Sequence, residues 1–236
     1  MSETDQTLAA EFAALAPWVF QFHIDGADYG GDISALGDAR LAQFWQFAPQ
    51  ARRILELGSL EGAHTVQLAA RPGVEHVVAI EGRAANLRKA ELIRHLFGAG
   101  NVELVQANLE EADLEQFGHF DAVFCSGLLY HLPEPWKLLA QLPRLAPQLF
   151  VWTHYAHELQ AKEIRHGLRG KIHTEGGPDE PLSGMSNTAF WPTLGSLLQL
   201  VTTSGYRTIT IIHNDVQHQH GGAVTFFAAT SDLPLA

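Results

Sequence analysis

The chain has one cysteine, few basic residues and no long apolar run. A single cysteine among 236 residues, Cys125, excludes an internal disulfide and is typical of a reducing compartment. No apolar stretch approaches the roughly 20 residues of a membrane-spanning helix, so we expect no membrane association. The first residues, M-S-E-T-D-Q-T, have no basic start and no apolar core. A signal peptide is therefore not expected, and a cytoplasmic location is.

Positive charge is also scarce. The 15 Lys and Arg residues are scattered and outnumbered by 26 Asp and Glu, which leaves a formal net charge of −11. This balance argues against binding a phosphate backbone, so a nucleic acid is not the expected partner. The 13 histidines are the compositional oddity, and their protonation would move the charge toward neutrality near about pH 6.

Strand and helix patterns alternate through the middle of the chain. Apolar runs predict strands at 53–57, 76–80, 102–106, 121–125 and 149–153. Helices are predicted at 64–70, 84–97 and 136–142, with an acidic helical turn at 110–117. Repeated strand–helix units predict a mostly parallel sheet covered by helices on both faces, an α/β fold.

The flanking segments depart from this alternation. Helices are predicted at 4–15, 41–47, 158–169 and 192–203, an aromatic strand at 18–23, and an antiparallel hairpin at 206–213 and 223–230. Residues 170–187 are rich in Gly, Pro and Ser and predict a long loop, which in a compact domain is often a lid. We expect one domain over 1–236, with a cap (1–50), a cofactor-binding core (51–155), a lid (156–190) and a C-terminal helix and hairpin (191–236).

The strongest functional signal is a pair of strand ends. Residues 54–62 read I-L-E-L-G-S-L-E-G and residues 77–81 read V-V-A-I-E. The first run is typical of a buried parallel strand that breaks into a tight turn, and the second ends in a lone acid. Together they predict a nucleoside pocket at the carboxyl edge of a doubly wound sheet.

The first run resembles motif I, (D/E)-x-G-x-G-x-G, of the class I S-adenosylmethionine-dependent methyltransferases. Glu56, Gly58 and Gly62 match, and Leu60 replaces the central glycine. The resemblance implies that Gly58, Ser59 and Gly62 lie against the cofactor and that Glu56 orients its amino end. It also implies a seven-stranded sheet in the order 3-2-1-4-5-7-6 and S-adenosylmethionine as cofactor.

Later segments extend the resemblance. Residues 120–135, F-D-A-V-F-C-S-G-L-L-Y-H-L-P-E-P, resemble the fourth-strand region of this superfamily. The remaining cofactor-binding positions that the resemblance implies are Glu81 with Gly82 at the ribose, Asn108 with Leu109 at the adenine, and Ser126 with Gly127 beside the cofactor.

Methyl transfer to a hydroxyl needs an aligned acceptor and a base. His131 and His154 each follow a predicted core strand and are the candidate bases. For His131, a purely structural role is the alternative interpretation. Tyr130 is interpreted either as lining the methyl channel or as core, and Tyr29 and Trp191 are candidate acceptor contacts. Arg40 could pair with the cofactor's carboxylate, but a lone Arg before a helix is usually solvated.

Three alternatives remain at this stage. The chain is similar to a bacterial subgroup of largely unassigned class I enzymes, with some resemblance to the wobble-uridine carboxymethyl-transferring enzymes of tRNA. We expect a methyltransferase acting on a small-molecule acceptor, most simply at oxygen. Transfer of a methyl or carboxymethyl group to tRNA is one alternative, a non-catalytic S-adenosylmethionine-binding module is another, and a nicotinamide oxidoreductase is a third. The His spacings match no compact metal signature, so no metal is expected.

Overall fold

The computed structural model describes residues 3–177 and 179–231. Its helices are α1 (Glu3–Ala14), α2 (Ala39–Phe47), α3 (Ala63–Ala69), α4 (Ala84–Leu96), α5 (Pro135–Leu139), α6 (Leu142–Leu145) and α7 (Leu194–Ser204). Its strands are β1 (Phe20–Ile24), β2 (Ala27–Gly30), β3 (Ile33–Ser34), β4 (Arg53–Leu57), β5 (His76–Glu81), β6 (Val102–Gln106), β7 (Ala122–Ser126), β8 (Gln148–His154), β9 (Glu163–Arg165), β10 (Leu168–Thr174), β11 (Thr188–Pro192), β12 (Thr208–Asp215) and β13 (Ala223–Ala229).

A seven-stranded sheet forms the centre, in the order β12-β13-β8-β7-β4-β5-β6. Strands β4 to β8 pair in parallel, whereas β13 pairs antiparallel with both β8 and β12. The central strands are buried on both faces because helices cover them, which explains their continuous apolar runs. The predicted mostly parallel α/β sheet and its closing antiparallel hairpin are confirmed.

The cap consists of α1 and a small sheet of β1, β2 and β3. Glu61, in the turn after β4, is fully buried and joins this cap to the core. Its carboxylate accepts hydrogen bonds from the backbone N–H groups of Val19 and Phe20 and lies 2.8 Å from Lys89 Nζ. A buried carboxylate is tolerated here because these donors compensate its lost hydration. The cap is thereby held above the carboxyl edge of the sheet.

The prediction of a helix at 158–169 is wrong. Residues 163–174 form strands β9 and β10, which join β11 in a second sheet. Pairing with a distant strand overrides local helix preference here, and Gly170 permits it, since a Cβ at this position would lie 2.3 Å from the Trp191 carbonyl oxygen. The predicted long loop shrinks accordingly to 175–187.

Three further helical segments differ from expectation. The segment at 136–142 is divided between α5 and α6, and the acidic turn at 110–117 keeps only one 3-10 turn, Leu114–Phe117. Helix α7 begins at Leu194 rather than 192, because the Thr193 hydroxyl caps it by accepting from Ser196 N.

Within the described residues, no helix combines the length and the apolar character that crossing a membrane requires.

Candidate functional site

A cavity of about 400 Å³ opens at the carboxyl edge of the central sheet. Its floor comes from the turns after β4, β5, β6 and β7 and from the end of β8. The cap contributes Val19, Phe20 and Ile33, the 175–187 loop contributes residues 181–185, and the β12–β13 connection contributes residues 218–220. The cavity therefore draws on all four predicted segments of the chain, at the place where doubly wound sheets bind ligands.

Eight of the ten predicted cofactor-binding residues line this cavity. They are Gly58, Ser59, Glu81, Gly82, Asn108, Leu109, Ser126 and Gly127. The side-chain hydroxyl of Ser59 is buried and has no hydrogen-bond partner among the described residues. Such an orphaned polar atom in a cavity wall suits a polar ligand group, so the residues present fit a cofactor that carries hydroxyl, amino and carboxylate groups.

The turn after β4 keeps a glycine-like conformation at Leu60. Its φ is +51°, in the left-handed region that usually costs a non-glycine residue about 1 kcal/mol. The Leu60 N–H donates to Glu81 Oε2 at 3.0 Å, which helps to hold this conformation. Leu60 therefore holds, without being a glycine, a conformation that glycine adopts more readily.

Glu81 ends β5 with its carboxylate at the cavity. Besides Leu60, the backbone N–H of Arg83 donates to it at 2.8 Å, and burial raises its pKa. The side-chain amide of Asn86 also donates to Oε1, at 3.3 Å. Of the about four lone-pair positions of a carboxylate, one on Oε2 is left to accept a hydrogen bond from a ligand hydroxyl.

The structure does not bring Glu56 or Gly62 to the cavity wall. Glu56 lies beneath it, fully enclosed, where the Thr65 hydroxyl donates to it at 2.5 Å. Burial, reinforced by the charge of Glu81, raises the pKa of Glu56 to about 7. A Cβ at Gly62 would lie 3.2 Å from Ala90 Cα, so this glycine permits the close packing of α3 on α4.

Arg40, which we expected to be solvated, lines the cavity instead. Its guanidinium donates to Ser126 Oγ at 3.1 Å, lies over the Trp152 ring at 5.2 Å, and is held by Asp38 at 2.5 Å. Although burial opposes the shift, hydrogen bonds from His64 and Arg40 hold the pKa of Asp38 well below its usual range. A fixed positive charge of this kind suits a ligand carboxylate.

His154 faces the cavity from the end of β8. Its Nδ1 lies 3.2 and 3.3 Å from the carbonyl oxygens of Gly221 and Gly222. Because carbonyl oxygens only accept, Nδ1 must carry the hydrogen, and Nε2 is left as the unprotonated nitrogen. Burial lowers the pKa of His154 to about 4, which disfavours its charged form.

His131 has a different partner. Its Nδ1 lies 3.0 Å from Oε2 of Glu175, a buried residue of the 175–187 loop. Despite the opposing effect of burial, hydrogen bonds from His131, Gly184 and Ser183 lower the pKa of Glu175 to about 2. The carboxylate is thus ionised at neutral pH and accepts the Nδ1 hydrogen, so Nε2 is the ring nitrogen that remains for exchanging a proton with a ligand. Sequence reasoning missed Glu175 because it belongs to no motif.

Aromatic rings surround the two histidines. Tyr130 lines the cavity, with its ring centroid 4.1 Å from that of His131 and 4.7 Å from that of His154, and burial raises its pKa to about 12. Trp191 stacks behind His154 at 5.2 Å and donates to the Tyr130 carbonyl, so it supports the wall from outside. Tyr29 is not brought to the cavity, since it packs against Phe12 in the cap.

The histidines do not form a metal centre in the described part of the chain. No group of three or more His, Cys, Asp or Glu side chains there has the geometry to hold an ion. Although the rings of His154, His218 and His220 lie within 6.5 Å of one another, they are arranged as part of the aromatic wall.

Comparisons with known proteins identify the family. Residues 55–147 match a family described as a methyltransferase domain. The tRNA U34 carboxymethyltransferase of Actinobacillus pleuropneumoniae serotype 3 is 27% identical over 168 residues, covering 70% of this chain and 48% of that protein. The enzyme of the same name from Mannheimia succiniciproducens is also 27% identical, covering 71% and 49%. The chain thus spans about half the length of the curated relatives it matches.

A solved structure is more similar along the whole chain. The N-terminal domain of EvdMO1, crystallised with S-adenosylhomocysteine (SAH) bound and also in the presence of SAH and D-fucose, is 33% identical. The TM-score is 0.88, and the match covers 98% of each chain. Full-length EvdMO1 matches with a TM-score of 0.75, and the match covers 47% of that longer chain. Together with the cavity at the glycine turn, these matches establish that the chain belongs to the class I S-adenosylmethionine-dependent methyltransferases and that S-adenosylmethionine is its cofactor.

Proposed function

We propose that the chain methylates a hydroxyl group of a small-molecule acceptor, with a sugar hydroxyl as the first candidate, and that His131 is the general base. The observation that carries this proposal is the His131–Glu175 pair at the cavity wall. An alcohol has to lose its proton to become an effective nucleophile, and a positioned imidazole is the usual acceptor of that proton.

The two candidate bases differ in what stabilises their charged form. An imidazolium at position 131 would face the ionised carboxylate of Glu175. An imidazolium at position 154 would gain only backbone carbonyls, and burial already lowers the pKa of His154 to about 4. We therefore prefer His131 for proton removal and assign His154 to acceptor binding, where its unprotonated Nε2 can accept a hydrogen bond from a hydroxyl.

The cofactor supplies an electrophilic methyl group on a sulfonium when it is bound. We assign the Glu81 carboxylate to its ribose, and Asn108 and Leu109 to its adenine. We assign the Ser59 hydroxyl and the Arg40 guanidinium to its amino-acid end. These assignments rest on the cavity wall and on the unpartnered buried hydroxyl of Ser59.

The sugar hydroxyl is suggested by two features. The acceptor end of the cavity is walled by Tyr130 and Trp152, rings of the kind that pack against the apolar faces of sugars, together with hydrogen-bonding histidines. The relative with 33% identity was crystallised in the presence of D-fucose. Transfer of a methyl or carboxymethyl group to tRNA is the second candidate, because relatives of that name match 70% of the chain. The net charge of −11 weighs against it.

Two measurements test the proposal. Calorimetry with S-adenosylmethionine, SAH and NAD should show binding of the first two only. The protein should then form SAH when it is incubated with S-adenosylmethionine and deoxysugar or glycoside acceptors, and mass spectrometry should place the methyl group on oxygen. Methylation of an unmodified tRNA transcript, or of an amine, in preference to every hydroxyl acceptor would overturn the proposal.

The base assignment has its own test. His131→Ala should lose about 10²- to 10⁴-fold in turnover while SAH affinity is kept. The matched control is His119→Ala, at an exposed histidine whose ring is hydrogen-bonded to the Arg144 carbonyl at 3.1 Å, far from the cavity lining. Full turnover in the His131→Ala variant would refute the role of His131.

A further inference from the structure

We propose that Glu175 is a positioning residue for the reaction, which orients the imidazole of His131 from a loop far away in the chain. The inference rests on the proposed role of His131 and extends it to a residue far away in the chain. The described residues of this loop, 175–177 and 179–187, are called the lid below.

One oxygen of Glu175 makes every hydrogen bond found for its side chain. Oε2 accepts from His131 Nδ1 at 3.0 Å, from the Ser183 hydroxyl at 2.7 Å and from the Gly184 N–H at 2.7 Å. The residue is only 8% exposed, and Oε1 has no partner among the described residues. Burying a carboxylate in this way is costly, and an apolar side chain would hold a lid at lower cost. The negative charge is better explained by its hydrogen bond to His131, which orients the imidazole.

The lid packs directly on the candidate base. A Cβ at Gly184 would lie 2.6 Å from the His131 carbonyl oxygen and 3.4 Å from His131 Cβ. No other residue type fits at that distance without displacing the backbone, so the lid and the 3-10 turn Leu129–His131 are in contact through main chain as well as through Glu175.

The same lid residues reach the cofactor end of the cavity. The guanidinium of Arg83, which follows Glu81 by two positions, donates to the Ser183 carbonyl at 2.6 Å and to the carbonyls of Gly177 and Gly184 at 3.2 Å. The Met185 side chain lies against Gly82, where an added Cβ would be 3.2 Å from Met185 Sδ.

Ser183 and Gly184 thus have two sets of contacts. On one side they donate to Glu175, and on the other their carbonyls accept from Arg83 next to the proposed ribose site. Residues 181–185 also line the cavity itself. Contacts on both sides therefore fix the position of Ser183 and Gly184, and with it the position of Glu175 against His131.

Tyr130, His173 and Glu175 are the described titratable groups that interact with His131. Tyr130 is its chain neighbour and stays un-ionised, since burial raises its pKa to about 12. His173 on β10 interacts electrostatically with both His131 and Glu175, and burial lowers its pKa. Glu175 is the one described carboxylate hydrogen-bonded to the imidazole, and it fixes which ring nitrogen carries the hydrogen.

The test compares Glu175→Gln, Glu175→Asp and the control Glu180→Gln, an exposed carboxylate of the same lid. Glu175→Gln should lower kcat at least about tenfold, with less than a threefold change in SAH affinity and in the acceptor KM. Glu175→Asp should restore part of kcat, and Glu180→Gln should behave like the unaltered protein. If Glu175 only holds the lid, SAH affinity and KM would worsen while kcat at saturation is kept, and the inference would be overturned.

A double variant separates this inference from the proposed function. If Glu175 acts through His131, Glu175→Gln should have no further effect on kcat in a His131→Ala background. A further loss there would overturn the positioning role. Full turnover of His131→Ala alone would instead refute the proposed base, and an inactive His131→Ala beside a fully active Glu175→Gln would refute this inference alone.

Discussion

Replacing Glu56 by Gln should stabilise the protein at alkaline pH and change little at acid pH. Glu56 is enclosed beneath the cavity, and its pKa is raised to about 7 from an ordinary value of 4.5. Between these two values the unfolded chain is ionised while the folded protein keeps the proton. Unfolding then releases a proton, so the free energy of unfolding falls as the pH rises from about 4.5 to about 7 and is level above that.

The size of the stability change follows from the difference between the pKa values of Glu56 in the folded protein and in the unfolded chain. Each pKa unit is worth about 1.4 kcal/mol, so the carboxyl costs the fold up to about 3 kcal/mol at pH 8 but under about 1 kcal/mol at pH 5. A Gln side chain has the same shape, can accept from the Thr65 hydroxyl and does not titrate. The stability gap in favour of Glu56→Gln should therefore widen by about 2 kcal/mol between pH 5 and pH 8.

Urea unfolding of both proteins at pH 5 and pH 8, followed by circular dichroism, measures this gap. Glu61→Gln is the matched control, because Glu61 is equally buried but paired with Lys89 at 2.8 Å. That variant should be destabilised at both pH values, since it leaves Lys89 without its buried counter-charge. A gap between Glu56→Gln and the unaltered protein that is the same at pH 5 and pH 8 would refute the reasoning.

Three further predictions concern the cavity wall. Arg40→Gln should weaken SAH binding about tenfold in calorimetry, because one charge-assisted contact is lost. Arg71→Gln, at an exposed arginine over Trp45, should leave SAH binding unchanged. Equal SAH affinities of the Arg40→Gln variant and the unaltered protein would remove Arg40 from the site. Leu60→Val should lower the free energy of unfolding by about 1–2 kcal/mol in urea titrations, because a β-branched residue tolerates a φ of +51° least. Leu60→Gly should lower it by less than about 1 kcal/mol. A larger loss for Leu60→Gly than for Leu60→Val would contradict the strain at Leu60. Since the pKa of His154 is lowered to about 4 from 6.5, the unfolded chain binds the extra proton between these values, and stability is lost as the pH falls through that window. His154→Phe should remove about 2 kcal/mol of this loss between pH 7.5 and pH 5, and parallel pH profiles for the two proteins would argue against it.

The architecture of the core was predictable because its signals are local. Apolar runs at β4, β5, β7 and β8 indicated buried parallel strands, and the acid at Glu81 marked the end of one of them. Most of the proposed cofactor-binding positions follow directly from where such strands end. Leu60 shows a limit of pattern matching, since it adopts the left-handed conformation that glycine favours although it is not a glycine.

The lid could not be predicted in this way. Strand β10 was expected to be partly helical and partly loop, because its pairing partner β11 lies well beyond any local window. Of the described residues, the second sheet then leaves 175–177 and 179–187 as a loop and places Glu175 beside His131, 44 positions away in the chain.

The sequence by itself determined the class of fold and the edge of the sheet at which a ligand binds, because strand periodicity and turn chemistry act over a few neighbouring residues. The cofactor was indicated by the resemblance of the glycine turn to a known family motif. Only the tertiary structure decided that Arg40 reaches the cavity, that Glu56 and Gly62 stay behind its wall, and that the two histidines have unlike partners. Hydrogen bonds and ion pairs between distant segments depend on how the whole chain packs, so they cannot be predicted from a short stretch of residues.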